Sequence, residues 1–300
     1  MRVGMVGLGV MATPMVRRLA RAGYLVLGYN RTIAKSAALA REVGMGVAST
    51  AREAAQGSDV VLSVLADDEA VRAVALGPQG ILAGLAPGQV WVDCSTVSPG
   101  LSVELGEVAA RGGAVRLEAP VSGSVPAVEA GTLVILAGGD AAALTAVEPV
   151  LAHLGTVRRV GGLGQALALK LAINMSIPAQ LVAFAEGLVL AERAGLDRDR
   201  AIDLMLATPI ASPMLRYRIP FAQRQPAEPW FTTEMMLKDV QLALGEAAAR
   251  GIAIPMTELG AELLRRAALG PRRLQECAAV VNLVEELAGP APGGPGAEAP

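Results

Sequence analysis

The sequence predicts an α/β domain on a doubly wound, mostly parallel sheet, followed by an all-α domain, with a long helix joining the two. Three observations carry this prediction. Short apolar runs alternate with helical patterns as far as Val160, the mark of a parallel sheet covered by helices on both faces. Past Gly164 the strand-like runs stop and only helical patterns follow. Between the first apolar run and the first helix stands a glycine turn, Gly7-Leu8-Gly9-Val10-Met11-Ala12.

The strand-like runs are residues 2–6, 24–29, 60–65, 90–94, 115–118, 133–137 and 157–160, each short and rich in Val, Leu or Ile. Helical patterns fill the gaps, among them 11–22, 34–42 and 141–154. In the second half they cover 165–194, 198–207, 233–250, 257–268 and 272–287. The expected division is therefore 1–162 and 163–288. The Gly-, Pro- and Ala-rich tail 289–300 is expected to be disordered. Residues 166–189 are apolar enough to span a bilayer, but Lys170, Asn174, Gln180 and Glu186 would be expensive in lipid, and Pro178 interrupts the run. A buried helix between two domains is expected instead.

Composition narrows the function. The chain is 53% hydrophobic but 3% aromatic, so its core is built from Ala, Val and Leu. A net charge of −2 offers no electrostatic case for nucleic acid or a membrane surface as a partner. Cys94 and Cys277 lie far apart and match no metal-ligand spacing, and the first residues lack the pattern of a secretory leader. A reduced, cytoplasmic chain is expected.

The glycine turn has a mechanical reading. Gly7 permits the tight turn, Gly9 lets backbone approach a pyrophosphate, and Ala12 is small enough for the helix to pack on the strand. The free N–H groups of the helix start then face phosphates. Met11 and Ala12 open that helix, and the second strand ends in Asn30-Arg31-Thr32. A carboxylate at this point would accept from the ribose of NAD and repel the 2′-phosphate of NADP. Here stand a neutral amide, a guanidinium and a hydroxyl. NADP(H) is the preferred cofactor on this reading. NAD(H), with Asn30 on its ribose, is the alternative.

A nicotinamide enzyme also needs a group that moves a proton and a group that holds the substrate. The single histidine, His153, falls between a helix and a strand, away from the strand C-termini where ligands bind. Lysine is scarce: Lys35, Lys170 and Lys238 are the only three among 26 basic residues. Arginine holds its proton near neutrality, whereas a desolvated lysine can release one. Lys170 lies on the apolar helix with Asn174 one turn on, so both project from one face. The alternative is a lysine that threads its head to water. Ser122-Gly123-Ser124 follows the strand at 115–118, where N–H groups and hydroxyls suit a carboxylate, although an ordinary turn has the same composition. Trp230-Phe231 suits either an interface or the site. Arg216, Tyr217 and Arg218 read as surface charge or as contacts to the far end of a substrate.

Four blocks together resemble the β-hydroxyacid dehydrogenase family, which includes 3-hydroxyisobutyrate dehydrogenase and the glyoxylate/succinic and tartronate semialdehyde reductases. They are GLGVMATPM near the start, VDCSTVSP at 92–99, EAPVSGSVPAVEAGTL at 118–133, and KLAINM at 170–175 with MMLKDVQLAL at 235–244. The resemblance implies a Rossmann domain joined to a helical domain and assembly as a homodimer or homotetramer. It implies that Lys170 is the acid/base with Asn174 as its substrate-orienting partner, and that Ser122, Gly123 and Ser124 bind a small carboxylate-bearing substrate. Thr96 would lie beside the nicotinamide, and the Lys238-Asp239 pair near the site, with Lys238 helping to close over cofactor and substrate. The expected cofactor-binding set is Gly7, Leu8, Gly9, Val10, Met11, Asn30, Arg31, Thr32, Leu65, Ala66, Thr96 and Lys238. Ala12 and Ser124 stand where glycine is common, Glu118 replaces the usual Asp, and the interval from Gly164 to Lys170 is longer than in many relatives. The expected reaction is reversible hydride transfer between a nicotinamide and a small hydroxyacid or semialdehyde. An imine reductase on the same fold and a non-catalytic NADP-binding module are the alternatives.

Overall fold

Among the described residues, 1–289 of a computed structural model, nine strands form one sheet. They are β1 (Arg2–Val6), β2 (Leu25–Tyr29), β3 (Gly46–Val47), β4 (Val60–Ser63), β5 (Val90–Asp93), β6 (Val115–Glu118), β7 (Val121–Ser122), β8 (Leu133–Gly138) and β9 (Gly155–Gly161). Between them run α1 (Ala12–Arg21), α2 (Ile33–Val43), α3 (Ala51–Gln56), α4 (Asp68–Ala75), α5 (Ile81–Gly84), α6 (Pro99–Arg111), α7 (Val125–Ala130) and α8 (Ala141–Leu151). The expected tail lies, beyond Gly289, outside the described residues.

The strand order is β3-β2-β1-β4-β5-β6-β8-β7, with β9 on β8. From β3 to β6 the pairing is parallel, and β8 runs antiparallel to β6 and β7. The parallel strands end in register: Val6 is level with Tyr29 and Ser63, Ser63 with Asp93, and Asp93 with Glu118. The loops after β1, β2, β4, β5 and β6 thus spring from one sheet edge. The order reverses between β1 and β4, which is where a doubly wound sheet opens a crevice for a ligand.

Strand side chains alternate between two cores. Val3, Met5, Leu62 and Val92 pack with α1 and α8 residues such as Met15 and Leu144 on one face. Val6, Val61 and Trp91 pack with Ala54, Leu101 and Leu105 on the other. Burial on both faces makes these strands read as unbroken apolar runs, which is why the sequence revealed them.

The chain packs as two units, Met1–Leu171 and the residues from Ala172 on. This division falls inside a helix, later than the 162/163 boundary suggested by the last strand. The expected helix 165–194 is α9 (Gln165–Asn174) and α10 (Ser176–Arg193), interrupted at Met175. Pro178 has no N–H to give the Asn174 carbonyl, and its ring crowds that carbonyl. By length and composition the stretch Gln165–Arg193 is apolar enough to cross a membrane.

In the second unit α10 packs against α11 (Arg198–Ala207), α12 (Pro213–Gln223), α14 (Pro255–Ala268) and α15 (Ala279–Leu287), with α13 (Thr233–Ala249) against α14. Leu181, Phe184, Leu188, Ile219, Met236 and Val281 are among its core residues. The helix expected over 272–287 is instead a 3-10 turn, Pro271–Leu274, then an extended break, then α15. The strands β3 and β7 and the helix α12 had no expectation in the sequence reading.

Candidate active site

The glycine turn is bound to the end of β2. Gly7 N–H donates to the Tyr29 carbonyl at 2.9 Å, and Leu8 N–H donates to Asn30 Oδ1 at 3.0 Å. Asn30 Nδ2 donates onward to the Thr32 carbonyl at 3.1 Å. Gly7 has φ +88°, and a Cβ there would meet the Val64 carbonyl oxygen at 2.3 Å. At Gly9 an added Cβ would meet no protein atom within 4 Å. That open space lies over the start of α1, which no side chain caps, while Ala12 is fully buried beneath it. An uncapped helix start under an open glycine fits the pyrophosphate of a dinucleotide. Val10 is exposed and Met11 half-buried, whereas Leu8 is a core side chain whose N–H is already engaged.

Arg31, Thr32 and Lys35 are exposed around the start of α2. Thr32 occupies the N-cap position without capping the helix through its side chain, and the first turn holds no acid. Lys35 was given no role in the sequence reading, although the helix expected over 34–42 already placed it in the first turn. A helix N-terminus carrying two cations and no carboxylate favours an anion.

Half-buried Leu65 and exposed Ala66 follow β4, and half-buried Thr96 follows β5. The segment Ser122-Gly123-Ser124 is more ordered than a plain turn. Ser122 is the second residue of β7, paired with Val134, and Ser124 occupies the N-cap position of α7. Its hydroxyl caps no N–H of that helix. Gly123 has φ +125°, and a Cβ would crowd Ala127 at 2.8 Å and Leu133 at 2.9 Å, so a side chain there is excluded.

Lys170 and Asn174, one turn apart on α9, are 8% and 4% exposed. In the second unit Asn174 Nδ2 donates to Asp239 Oδ2 at 2.5 Å. Lys238 Nζ lies 2.7 Å from Asp239 Oδ1, an ion-pair contact not aligned as a hydrogen bond. Buried Asp239 thus gathers Asn174 and Lys238 at one carboxylate and fixes the amide of Asn174.

The remaining candidates stand elsewhere. His153 is exposed, with its ring edge-on to Tyr24 at 5.4 Å. Arg216 donates to the Leu206 and Thr208 carbonyls. Arg218 corrects the surface-charge reading: it is buried, ion-paired with Glu276 and hydrogen-bonded to Cys277 Sγ. Glu276 Oε2 also accepts from the Trp230 and Phe231 N–H groups at 2.9 and 3.0 Å, and the Trp230 ring stacks edge-on against Phe221. These side chains build the helical unit. Burial pushes the Cys94 thiol up to about 12, with the Asp93 charge adding to it, and burial likewise pushes Cys277 up to about 12. Neither thiol is a nucleophile near neutrality. Sequence reading passed over Asp93, Ser102 and Arg116, which join Glu118 in a buried polar network and whose partners are far apart in the chain.

Residues 2–164 match the family model for the NAD binding domain of 6-phosphogluconate dehydrogenase, and residues 164–284 match that for the NAD-binding region of NADP-dependent 3-hydroxyisobutyrate dehydrogenase. A probable 3-hydroxyisobutyrate dehydrogenase-like protein of Arabidopsis thaliana is 34% identical over 87% of this chain and 86% of its own length. The Mycobacterium tuberculosis 3-hydroxyisobutyrate dehydrogenase with L-serine is 29% identical, with a TM-score of 0.80 over 94% of this chain and 98% of that one. Psf3 in complex with NADP+ and 2-OPP is 25% identical, with a TM-score of 0.85 over 94% and 99%.

Proposed function

The chain belongs to the β-hydroxyacid dehydrogenase family, whose members are nicotinamide-dependent oxidoreductases, and from this premise we propose that it interconverts a small β-hydroxyacid and its semialdehyde with Lys170 as the acid/base. The observation that carries this reading is a buried lysine sharing a helix face with an asparagine whose amide is fixed by Asp239. In reduction Lys170 Nζ gives a proton to the nascent alkoxide, and its positive charge stabilises that oxygen. In oxidation the neutral amine takes the hydroxyl proton. Asn174 orients the substrate oxygen, and the Ser122–Ser124 segment holds the substrate carboxylate through hydroxyls and backbone N–H groups. The nicotinamide, when bound, supplies or accepts the hydride. The L-serine complex of the mycobacterial relative, a β-hydroxy acid, supports the substrate class.

The cofactor we infer is NADP(H), in preference to NAD(H). Asn30 spends its carbonyl oxygen on Leu8, and Arg31 and Lys35 flank an acid-free helix start, an arrangement suited to a 2′-phosphate. The relative holding NADP+ supports this choice. Free, buried Cys94 and Cys277 suit a reducing compartment, and we propose a cytoplasmic setting. We also propose a homodimer or homotetramer. Lys170 speaks against an imine reductase, which on this fold generally carries another residue there.

The test is a panel of small hydroxyacids and semialdehydes assayed with NADPH, NADH and their oxidised forms. A hydroxyacid or semialdehyde is expected to react, faster with the phosphorylated cofactor. Turnover of cyclic imines alone would refute the reaction class, and a clear preference for NADH would refute the cofactor assignment. Lys170→Ala should lose about two orders of magnitude in kcat or more while NADPH still binds. A near-normal kcat in that variant excludes Lys170 as the acid/base.

A further inference from the structure

A line of buried polar groups crosses the first unit beneath the sheet edge that carries the loops. Leu65 N–H donates to Ser95 Oγ at 2.8 Å, and Ser95 N–H donates to Asp93 Oδ1 at 3.1 Å. Trp91 Nε1 donates to Ser63 Oγ at 2.8 Å, and Ser63 Oγ donates to Asp93 Oδ1 at 2.8 Å. Arg116 reaches Asp93 Oδ2 at 2.7 Å through one guanidinium nitrogen and Ser102 Oγ at 2.5 Å through another, and it lies over the Trp91 ring. Ser102 Oγ donates to Glu118 Oε2. Glu118 then accepts three backbone N–H groups at the head of α9: Gly164 at 2.7 Å, Ala166 at 2.8 Å and Leu167 at 3.1 Å. Asp93, Arg116 and Glu118 are each at most 3% exposed.

Three buried charges contribute little to stability that well-packed apolar groups would not. What they contribute here is position. Ala166 and Leu167 are the residues whose carbonyls lie one helical turn before the N–H groups of Lys170 and Leu171. A carboxylate that grips their N–H groups fixes both the rotation and the axial setting of the turn that carries Lys170. Its negative charge at the helix start suits the dipole of α9. At the other end the line terminates on Leu65 and Ser95, in the loops after β4 and β5 where the cofactor contacts are expected. A shift of about 1 Å in a reacting group can cost about 100-fold in rate.

We infer that Glu118, held by Ser102, Arg116 and Asp93, is a positioning residue that sets Lys170 against the loops after β4 and β5. The inference rests on Lys170 being the acid/base. The usual Asp of relatives goes with a shorter interval from Gly164 to the lysine; with the longer interval of this chain, Glu118→Asp keeps the charge but withdraws the carboxylate by one methylene from the three N–H groups it holds. It should lower kcat about 10- to 100-fold and shift the pH profile of kcat, while the NADPH dissociation constant changes by less than about threefold.

A double-mutant cycle provides the test, using the panel compound turned over fastest and NADPH fluorescence for binding. The Lys170→Ala/Glu118→Asp double variant should be no slower than Lys170→Ala alone, because Glu118 acts through Lys170. Additive losses, or a Glu118→Asp enzyme with wild-type kcat and pH profile, overturn the inference. A normal rate in Lys170→Ala defeats the acid/base reading instead, so the two failures are distinguishable. Leu144→Ala, a core truncation on α8, serves as the stability control and should keep its kcat. If Glu118→Asp does not fold, Ser102→Ala cuts the same line and leaves the three backbone contacts of Glu118 in place. It should lower kcat about 3- to 10-fold in the presence of Lys170 and have no effect in its absence. An equal effect in both backgrounds overturns the inference.

Discussion

At the scale of the residue, the two glycines of the first turn separate a demand of the fold from a demand of the ligand. Gly7 is required by the protein itself, since its φ of +88° and the nearby Val64 carbonyl leave no room for Cβ. Gly9 lies outside the left-handed region and faces open space, so nothing in the chain requires it to be glycine. A methyl group there would instead stand where a pyrophosphate must approach. Gly9→Ala should therefore keep its stability within about 1 kcal/mol while NADPH binds at least about tenfold more weakly. Gly7→Ala should lose both. Thermal melting and fluorescence titration of the two variants check this, and an unchanged NADPH affinity in Gly9→Ala would remove the turn from the cofactor site. The sequence motif already assigns the tight turn to Gly7 and the approach of a pyrophosphate to Gly9. What the structure adds is the obstacle at Gly7, the Val64 carbonyl, which the fold brings there from the end of another strand.

At the scale of the element, pattern made the regular pieces legible and missed those held by partners distant in sequence. Parallel strands buried on both faces were read to within a residue or two. The two-residue strands β3 and β7 were too short to show a period. Residues 272–287 read as one helix because their apolar spacing is helical, yet Glu276 interrupts it. Its carboxylate accepts from the Trp230 and Phe231 N–H groups and pairs with Arg218, and its residue bridges Thr232. A helix through 275–278 would withdraw that carboxylate from the segment leading into α13, the helix that carries Lys238 and Asp239. The same limit hid the network around Glu118, whose partners at the head of α9 lie 46 to 49 positions away. Removing one member of a buried pair strands the other charge. Glu276→Ala should thus cost about 3–5 kcal/mol, whereas the double change Arg218→Met/Glu276→Leu should cost less than the single one. Urea unfolding midpoints decide this, and a double variant less stable than Glu276→Ala would show that the pair itself stabilises the unit.

At the scale of the whole molecule, the exposed side chains of the helical unit bear on the assembly proposed above. Among the described residues, large apolar side chains with substantial exposure number twelve from Ala172 on and eight in the longer first unit. Leu190, Ile210 and Leu269 are 73%, 80% and 86% exposed. In the sequence, assembly was expected only from the family resemblance, and none of these three residues was singled out. The homodimer or homotetramer proposed above would bury such side chains where they adjoin in one patch, and a net charge of −2 adds little self-repulsion to oppose association of identical chains. A second copy of the same chain is the partner that needs no further component. Light scattering at micromolar concentration should accordingly give twice or four times the 30.6 kDa of one chain. The mass should hold in about 0.5 M salt, because an apolar contact, unlike a charged one, is not screened. A particle of one chain mass under both conditions would refute assembly through this surface. A particle that dissociates only in salt would place the contact on the charged residues instead.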